Sequence, residues 1–401
     1  MRRIAYRHRG RTNLYPADAT LNLPEESYSH GLRALAATEA ARGSFDEAVD
    51  AIGRASATTV AKRQVEALAR AAAVDFEAYF AQTKRPGPSE GQVVVLSADA
   101  KGLVMRPDGL RPATRAKAQS SQNKLKGRLS NGEKANRKRM AEVGAVYCVT
   151  PVPRSSADVM AHRGDRPLKE APTAEHKWVT ASVVDDAASV IGAVFDEAER
   201  RDPDHDHDWV ALVDGNRHQI DRIAVEAAAR GVGVSVLVDW VHVLEYIWSA
   251  AWSFFAEGDP AAQDWVHDKA IDVLSGRACI VAAAIRRKAT TRGLDPSARR
   301  NADACSDYLL AKAAYLDYPT ALSKGWPIAT GVIEGSCRYV VKDRMDITGA
   351  RWGLEGAEAV LKLRALRASD CWDDYWAFHV AQERRRIHES RYLDGALPTA
   401  A

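Results

Sequence analysis

Helical stripes at both ends of this 401-residue chain flank a middle in which short apolar runs alternate with amphipathic stretches. From Tyr28 to Arg42 apolar side chains recur at helical spacing (Leu32, Leu35, Ala36), and Ser44 with Glu47 forms a capping box ahead of Ala48, Val49 and Ile52. Gly53 is expected to end that helix, and Thr58 or Thr59 to cap the next, which runs from Val60 through Lys62, Arg63 and Gln64 to Leu68. Helix, short break and helix, with Lys62 and Arg63 near the second start, is compatible with a DNA-reading helix-turn-helix; an ordinary helical pair has the same spacing. The prolines and glycines of Lys84-Arg85-Pro86-Gly87-Pro88-Ser89-Glu90-Gly91 then mark a linker.

After the linker the period changes. Val93 to Leu96 reads as a buried strand, Leu103-Val104-Met105 as the start of its hairpin partner, and Ala145 to Val149 as a third strand. A helix from Thr180 to Arg200, a strand from Trp209 to Val213, a helix from Gln219 to Arg230 and a strand from Val232 to Val238 follow. Strands alternating with helices predict an α/β protein with a mixed sheet and crossover connections. From Val241 to about Ser323 nearly everything is helical and rich in Trp and Ala, which reads as an all-helical insertion; Trp248, Trp252, Phe254, Phe255 and Trp265 are expected to pack it rather than to stack on bases. A helix from about Gly331 to Met345 brings Glu334, Arg338, Val341 and Lys342 to one face, another runs from Leu354 to Ala368, and residues 393–401 are expected to be disordered. The division predicted is a helical unit at 1–83, a linker at 84–91, a sheet domain at 92–244 and again at 324–368, the insertion at 245–323, and a C-terminal helix and tail at 369–401.

Chemistry enters with three acids. Asp99 follows the first apolar run, Asp214 closes the run Trp209 to Val213 just before Gly215, and Glu334 stands in the first turn of its helix. Ligands of open α/β sheets collect at the carboxyl ends of strands, so two such aspartates and a helix-borne glutamate can converge. Oxygen-only ligands suit magnesium or manganese rather than zinc, and two such ions roughly 4 Å apart serve phosphoryl transfer. Taken singly, each Asp also suits a turn or a helix cap. Asp239 competes with Asp214, because it too ends an apolar strand. Arg338, four residues beyond Glu334, is placed either to pair with it on the helix surface or to meet phosphates together with Lys342.

Net charge is only +3, but its distribution is uneven. Between Arg106 and Arg139 lie Arg111, Arg115, Lys117, Lys124, Lys126, Arg128, Lys134, Arg137 and Lys138 against Asp108 and Glu133, a density suited to a phosphate backbone and equally to a solvated loop. Arg286-Arg287-Lys288 is a second, smaller patch. The run His205-Asp206-His207-Asp208 has metal-like composition, but a solvated loop is the expectation. Five scattered cysteines without a CxxC pair predict buried, reduced thiols and exclude a zinc ribbon or disulfide framework. No run approaches ~20 apolar residues, and the start, Met1-Arg2-Arg3-Ile4-Ala5-Tyr6-Arg7-His8, lacks a signal-peptide core. No membrane partner and a cytoplasmic, nucleoid-associated location are expected.

With these residues in view, the chain resembles the DDE transposases of bacterial insertion sequences, specifically the Kra-type branch. The match lies in Tyr15-Pro16-Ala17-Asp18 with Leu21-Asn22-Leu23-Pro24, in Ala98-Asp99-Ala100-Lys101-Gly102, and in Leu212-Val213-Asp214-Gly215-Asn216. It is strongest from Gly331-Val332-Ile333-Glu334-Gly335-Ser336-Cys337-Arg338 through Lys342-Asp343-Arg344-Met345 to Gly349-Ala350-Arg351-Trp352. The resemblance covers nearly the whole chain. It implies an RNase H-like fold interrupted by a helical insertion, and a catalytic triad Asp99, Asp214 and Glu334 holding two Mg2+ or Mn2+ ions. The implied reaction is metal-dependent cleavage and strand transfer at element ends, on double-stranded DNA, by a homo-oligomer. Such transposases carry a Cys-or-Asp, two residues, His element after the second aspartate. Asp239-x-x-His242 looks like it, which favours Asp214 as ligand and gives Asp239 and His242 a supporting role. Relatives also carry upstream paired cysteines, missing here, so the resemblance implies a start inside a longer frame or a shortened copy. Two other outcomes stay open: an RNase H-like nuclease that cuts without joining, and a DNA-binding remnant that no longer transposes.

Overall fold

A computed structural model of the chain describes residues 4–7, 9–10, 13–25, 27–120, 129–161, 170–347 and 349–395. Five strands, β1 (Val93–Val104), β2 (Lys138–Val149), β3 (Ala174–Ser182), β4 (Trp209–Val213) and β5 (Val234–Val238), form one mixed sheet in the order β3-β2-β1-β4-β5. β2 runs antiparallel to both β1 and β3; β4 joins β1, and β5 joins β4, in parallel. Parallel joins need crossovers, and the helices Ala187–Arg201 and Arg217–Arg230 provide them.

The main helices are α1 (His30–Arg42), α2 (Phe45–Ser56), α3 (Lys62–Ala72), α4 (Phe76–Gln82), α5 (Ala187–Arg201), α6 (Arg217–Arg230), α7 (Trp240–Ala251), α8 (Pro260–Leu274), α9 (Ala278–Thr291), α10 (Arg300–Ala311), α11 (Gly331–Ser336), α12 (Leu354–Ala368) and α13 (Trp372–Ile387). The residues between β5 and α11 add no strand to the sheet. Beyond α11 the chain continues through a π-helical stretch, Cys337–Lys342. The two faces of the sheet carry separate cores. On one, Val190 and Val194 of α5 press so closely on β2 that a Cβ at Gly144 would stand 2.5 Å from Val194 Cγ2. On the other, Val143, Ala145, Val179 and Ala181 pack against Ile333, Cys337, Val340 and Val341 of the Glu334 helix and against Val360 and Leu361 of α12. The N-terminal helices then pack on α12, with the small buried Ala36, Ala37, Ala40 and Ala41 on the buried side of α1.

Several expectations need correction. The capping box of Ser44 and Glu47 forms, but α2 runs past Gly53 to Ser56, and Ala61 rather than Thr58 or Thr59 precedes α3, its N–H received by the Gln64 side chain. Leu103 and Val104 begin no hairpin partner: they continue β1, and Met105 adds a single bridge to Trp352. The strand Ala174–Ser182 replaces the start of the helix expected at Thr180; its sequence, Ala-Glu-His-Lys-Trp, has too few apolar residues at its edge-facing start to show the period. β5 begins at Val234, not Val232. Cys148, Cys305, Cys337 and Cys371 are buried free thiols, whereas Cys279 is exposed. Of residues 393–401, expected to be disordered, Leu393–Gly395 form a short 3-10 turn and 396–401 lie outside the described residues.

Candidate metal centre

The parallel register aligns three aspartates. Ser97 pairs with Leu212 and Val213 with Val238; continuing both ladders places Asp99, Asp214 and Asp239 in one row across β1, β4 and β5. Adjacent strands lie ~4.8 Å apart, so the backbone positions of the row stand about one strand spacing apart where the parallel strands end. For Asp99 this differs from the expected strand terminus. β1 continues along β2 to Val104, so Asp99 sits within the strand, opposite Val143, just past the point where its β4 neighbour stops. Val143 belongs to the core under the Glu334 helix, so Asp99 faces that helix. Burial pushes the Cys337 thiol well up, and the Asp99 carboxylate beside it, in hydrogen-bonding contact, pushes further.

Asp239 is fully buried and internally satisfied. It caps α7, accepting from Val241 N and His242 N at 3.3 Å each, and it also accepts from His242 Nδ1 and Thr330 N at 2.9 Å each. Through Thr330 it reaches the third acid: Thr330 Oγ1 donates to Glu334 Oε1 at 3.2 Å. Asp239 therefore ties the β5–α7 junction to the first turn of α11. Among the described residues, the ligand-type atoms that lie within 4.8 Å of one another are those of Asp239, His242 and Glu334. Asp99 and Asp214 stand outside that group. Asp214 Oδ1 accepts from Asn216 N at 2.8 Å, an Asx turn, and Asp99 Oδ1 from Ala100 N at 2.7 Å.

The group's titration follows its surroundings. Burial, and then the Asp239 charge, hold the Glu334 carboxyl above the usual range. Burial works to lower the His242 imidazole, but its hydrogen bond to Asp239, with the charges of Asp239, Glu245 and Asp214, raises it overall. His242 and Glu334 remain 37% and 43% exposed, so an outside partner can reach both. No family model and no curated protein sequence matches the chain. What the site can do is therefore read from its own atoms.

Two further residues belong to the site, and Glu142 lies close by on the other face of the sheet. Glu142, across from Ala100 on β2, has its carboxyl raised by burial; Arg111 lowers it and Asp99 raises it. Its signal was a lone charge inside a strand that is otherwise buried from Ala141 to Val149. Thr330 carried no signal apart from preceding Gly331. Tyr308, from the helical block, donates to the Asp214 carbonyl at 3.1 Å; Gly215 has φ +92°, and a Cβ there would meet Tyr308 Oη at 2.9 Å. With Tyr318 Oη donating to Val238 O at 2.8 Å, the helical block braces the tips of β4 and β5.

The basic candidates divide. Lys62 pairs with Asp46 at 2.5 Å, while Arg63 next to it is exposed. Arg115 spends its guanidinium on the carbonyls of Pro107, Asp108 and Leu110. Arg111 and Lys117 are exposed, and Lys124, Lys126 and Arg128 lie outside the described residues. Arg338 is 77% exposed and turns to Asp343 at 3.7 Å rather than to Glu334; Lys342 is exposed. The run at 205–208 is pinned by Asp202, which accepts from Trp209 Nε1 at 2.8 Å and faces His207 Nδ1 at 3.1 Å.

Proposed function

We propose that the chain is a DDE-type transposase that cleaves DNA at element ends and joins it to target DNA, with Asp99, Asp214 and Glu334 as the ligands of two Mg2+ or Mn2+ ions. The observation that carries this reading is the aligned row Asp99–Asp214–Asp239 faced by a glutamate whose helix packs on Asp99. Asp239 and Glu334 meet there with one imidazole, and among the described residues their ion pairs are to His242. Such a donor set fits hard divalent cations. Bound divalent ions would supply a lowered water pKa and neutralise charge developing on the phosphoryl oxygens.

The chain's own residues share the remaining work. Asp239 already receives four hydrogen bonds, so a metal would have to displace a helix cap; Asp214, with one, is the freer ligand. Asp239, Thr330 and His242 orient Glu334. The first step is hydrolysis of a phosphodiester, leaving a 3′-hydroxyl and a 5′-phosphate. In the second, that 3′-hydroxyl attacks a target phosphodiester and expels the target's own 3′-oxygen. The strand order and the placement of the Glu334 helix after an all-helical block are compatible with an RNase H-like fold carrying an insertion.

The test is cleavage and strand transfer of labelled element-end DNA in Mg2+ or Mn2+, beside a gel-shift. Glu334→Gln keeps size and helix propensity but removes a ligand charge; losing one ligand of a two-metal site should cost most of the rate, several kcal/mol of stabilisation, while binding survives. A variant that cuts as well as the parent would remove Glu334 from the site. Cleavage without joined product would favour a simple nuclease, and binding without cleavage a silent remnant.

A further inference from the structure

The Glu334 helix has a second charged neighbourhood on its other flank. Tyr339, five residues beyond Glu334, lines a cleft of about 450 Å³ together with Arg42 from the end of α1, Lys177 from β3, and Arg364 and Arg367 from α12. No carboxylate lines it. Arg42, Lys177 and Arg367 are exposed, and Tyr339 is 40% exposed. Glu39, outside the lining, pairs with Arg42 at 2.8 Å. An adjoining hollow of about 560 Å³ shares Lys177 and Arg367 and adds Lys84 and Arg85, but also Asp370 and Asp374.

One of these arginines, Arg42, pairs with Glu39, but Arg364 is held without a carboxylate. Arg364 donates to the backbone carbonyls of Ala41, Tyr339 and Val340, the last at 2.8 Å, and so is fixed by dipoles rather than by a carboxylate. Burial, and then the Arg367 charge, push Arg364 down to about 10. Burial and the Arg42 charge likewise lower Arg367, with Glu39 partly opposing. Crowding like charges in a partly desolvated cleft is unfavourable for the protein alone. It becomes favourable when an anion enters, and the planar fork of arginine suits phosphate.

We propose that this cleft binds the phosphate backbone of duplex DNA, at a place separate from the carboxylate row. The choice of DNA over another polyanion rests on the proposed function; the preference for phosphate stands on the cleft itself. Its position fits one continuous ligand. Lys177 precedes by four residues Ala181, which pairs with Val143, the partner of Asp99. At ~3.3 Å per residue and ~4.8 Å per strand, that is roughly 13 Å along the strands and 10 Å across them from the carboxylate row. Duplex DNA carries one charge per ~1.7 Å of axis, so a single duplex spans both places. Both lie on the sheet face covered by the Glu334 helix and α12.

The test uses the full chain, metal-free in EDTA, with a fluorescent duplex and a salt titration read by anisotropy. The variant is Arg42→Ala, Lys177→Ala and Arg367→Ala combined, all at exposed positions, with its melting temperature checked against the parent. Losing two or three phosphate contacts should weaken binding roughly tenfold or more at low salt and reduce the slope of log K against log salt by about 2. An unchanged affinity and slope in a folded variant would overturn the proposal, as would a parent that does not bind duplex DNA. Titration with pyrophosphate separates the sources: saturable pyrophosphate binding lost in the variant, with the duplex slope unchanged, would make this a small-anion site and sink the DNA assignment. Glu334→Gln should bind with the parent's slope. Cleft-dependent binding by a protein that never cuts would leave this inference standing and remove the catalytic one.

Discussion

Two clusters in this molecule use the same acid and imidazole side chains and come out opposite. Asp239, His242 and Glu334 meet at the sheet edge. Asp75, His379 and Glu383 meet where the turn before α4 is crossed by α13, with His379 Nδ1 2.7 Å from Asp75 and Nε2 4.0 Å from Glu383. The second cluster carries its own cations. Arg33 binds both oxygens of Glu383, and Arg386 both oxygens of Asp75. Burial would raise both carboxyls, but the bonds from His379 and Arg386 hold Asp75 below its usual value, and those from Arg33 hold Glu383 below its own. Among the described residues no arginine performs that service at the sheet edge, and Glu334 is raised instead. The comparison teaches that the cation, not the acid, distinguishes a clamp from a site. Where the chain supplies arginine the charges close the structure; where it does not, the proposed role is to hold an ion from solution.

Removing a cation from the clamp gives the largest expected effect. Arg33 is buried, so Arg33→Met strands the Glu383 carboxylate and should cost about 3–5 kcal/mol in urea unfolding. Glu334→Gln, at a half-exposed position, should change stability by no more than about 0.5 kcal/mol. Equal costs for the two would erase the distinction between clamp and site.

The clusters should also titrate in opposite senses. Asp75 and Glu383 have folded pKa values below their ordinary 3.8 and 4.5, so their stabilisation is present above those values and is lost as pH falls through the depressed ones. His242 is raised above 6.5, so its contribution is complete below that value and is lost as pH rises through the folded pKa. Thermal unfolding across pH should therefore show an acid limb that Asp75→Asn flattens, and a weaker loss near and above neutrality that His242→Ala flattens. An acid limb unchanged in Asp75→Asn would take the clamp out of the account.

How much of this was legible in the sequence depends on how local each signal is. Asp214 and Glu334 were visible because a strand tip before a glycine and a helix first turn are written in adjacent residues. The row itself was not, since the register between β1 and β4 is set by strands more than a hundred residues apart. Asp239 shows the same limit: as a residue after an apolar strand it looks like Asp214, and only the N–H of Thr330, brought back by α11, shows that its oxygens are already taken. Glu142 was hidden in a segment read as starting at Ala145, and β3 in polar edge residues. The clamp was invisible because its halves, Arg33 with Asp75 and His379 with Glu383, lie at opposite ends of the chain.

If the sheet-edge carboxylates are open to divalent ions, the stability of the protein should depend on metal. Mn2+ titrated into the EDTA-treated full-length protein should raise its melting temperature saturably, by the equivalent of about 2.7 kcal/mol at a hundredfold excess over Kd. Asp99→Asn, Asp214→Asn and Glu334→Gln should each abolish most of that rise, while Arg33→Met, though less stable, should keep it. A parent protein that Mn2+ does not stabilise, or a rise undiminished in all three carboxylate variants, would contradict the account.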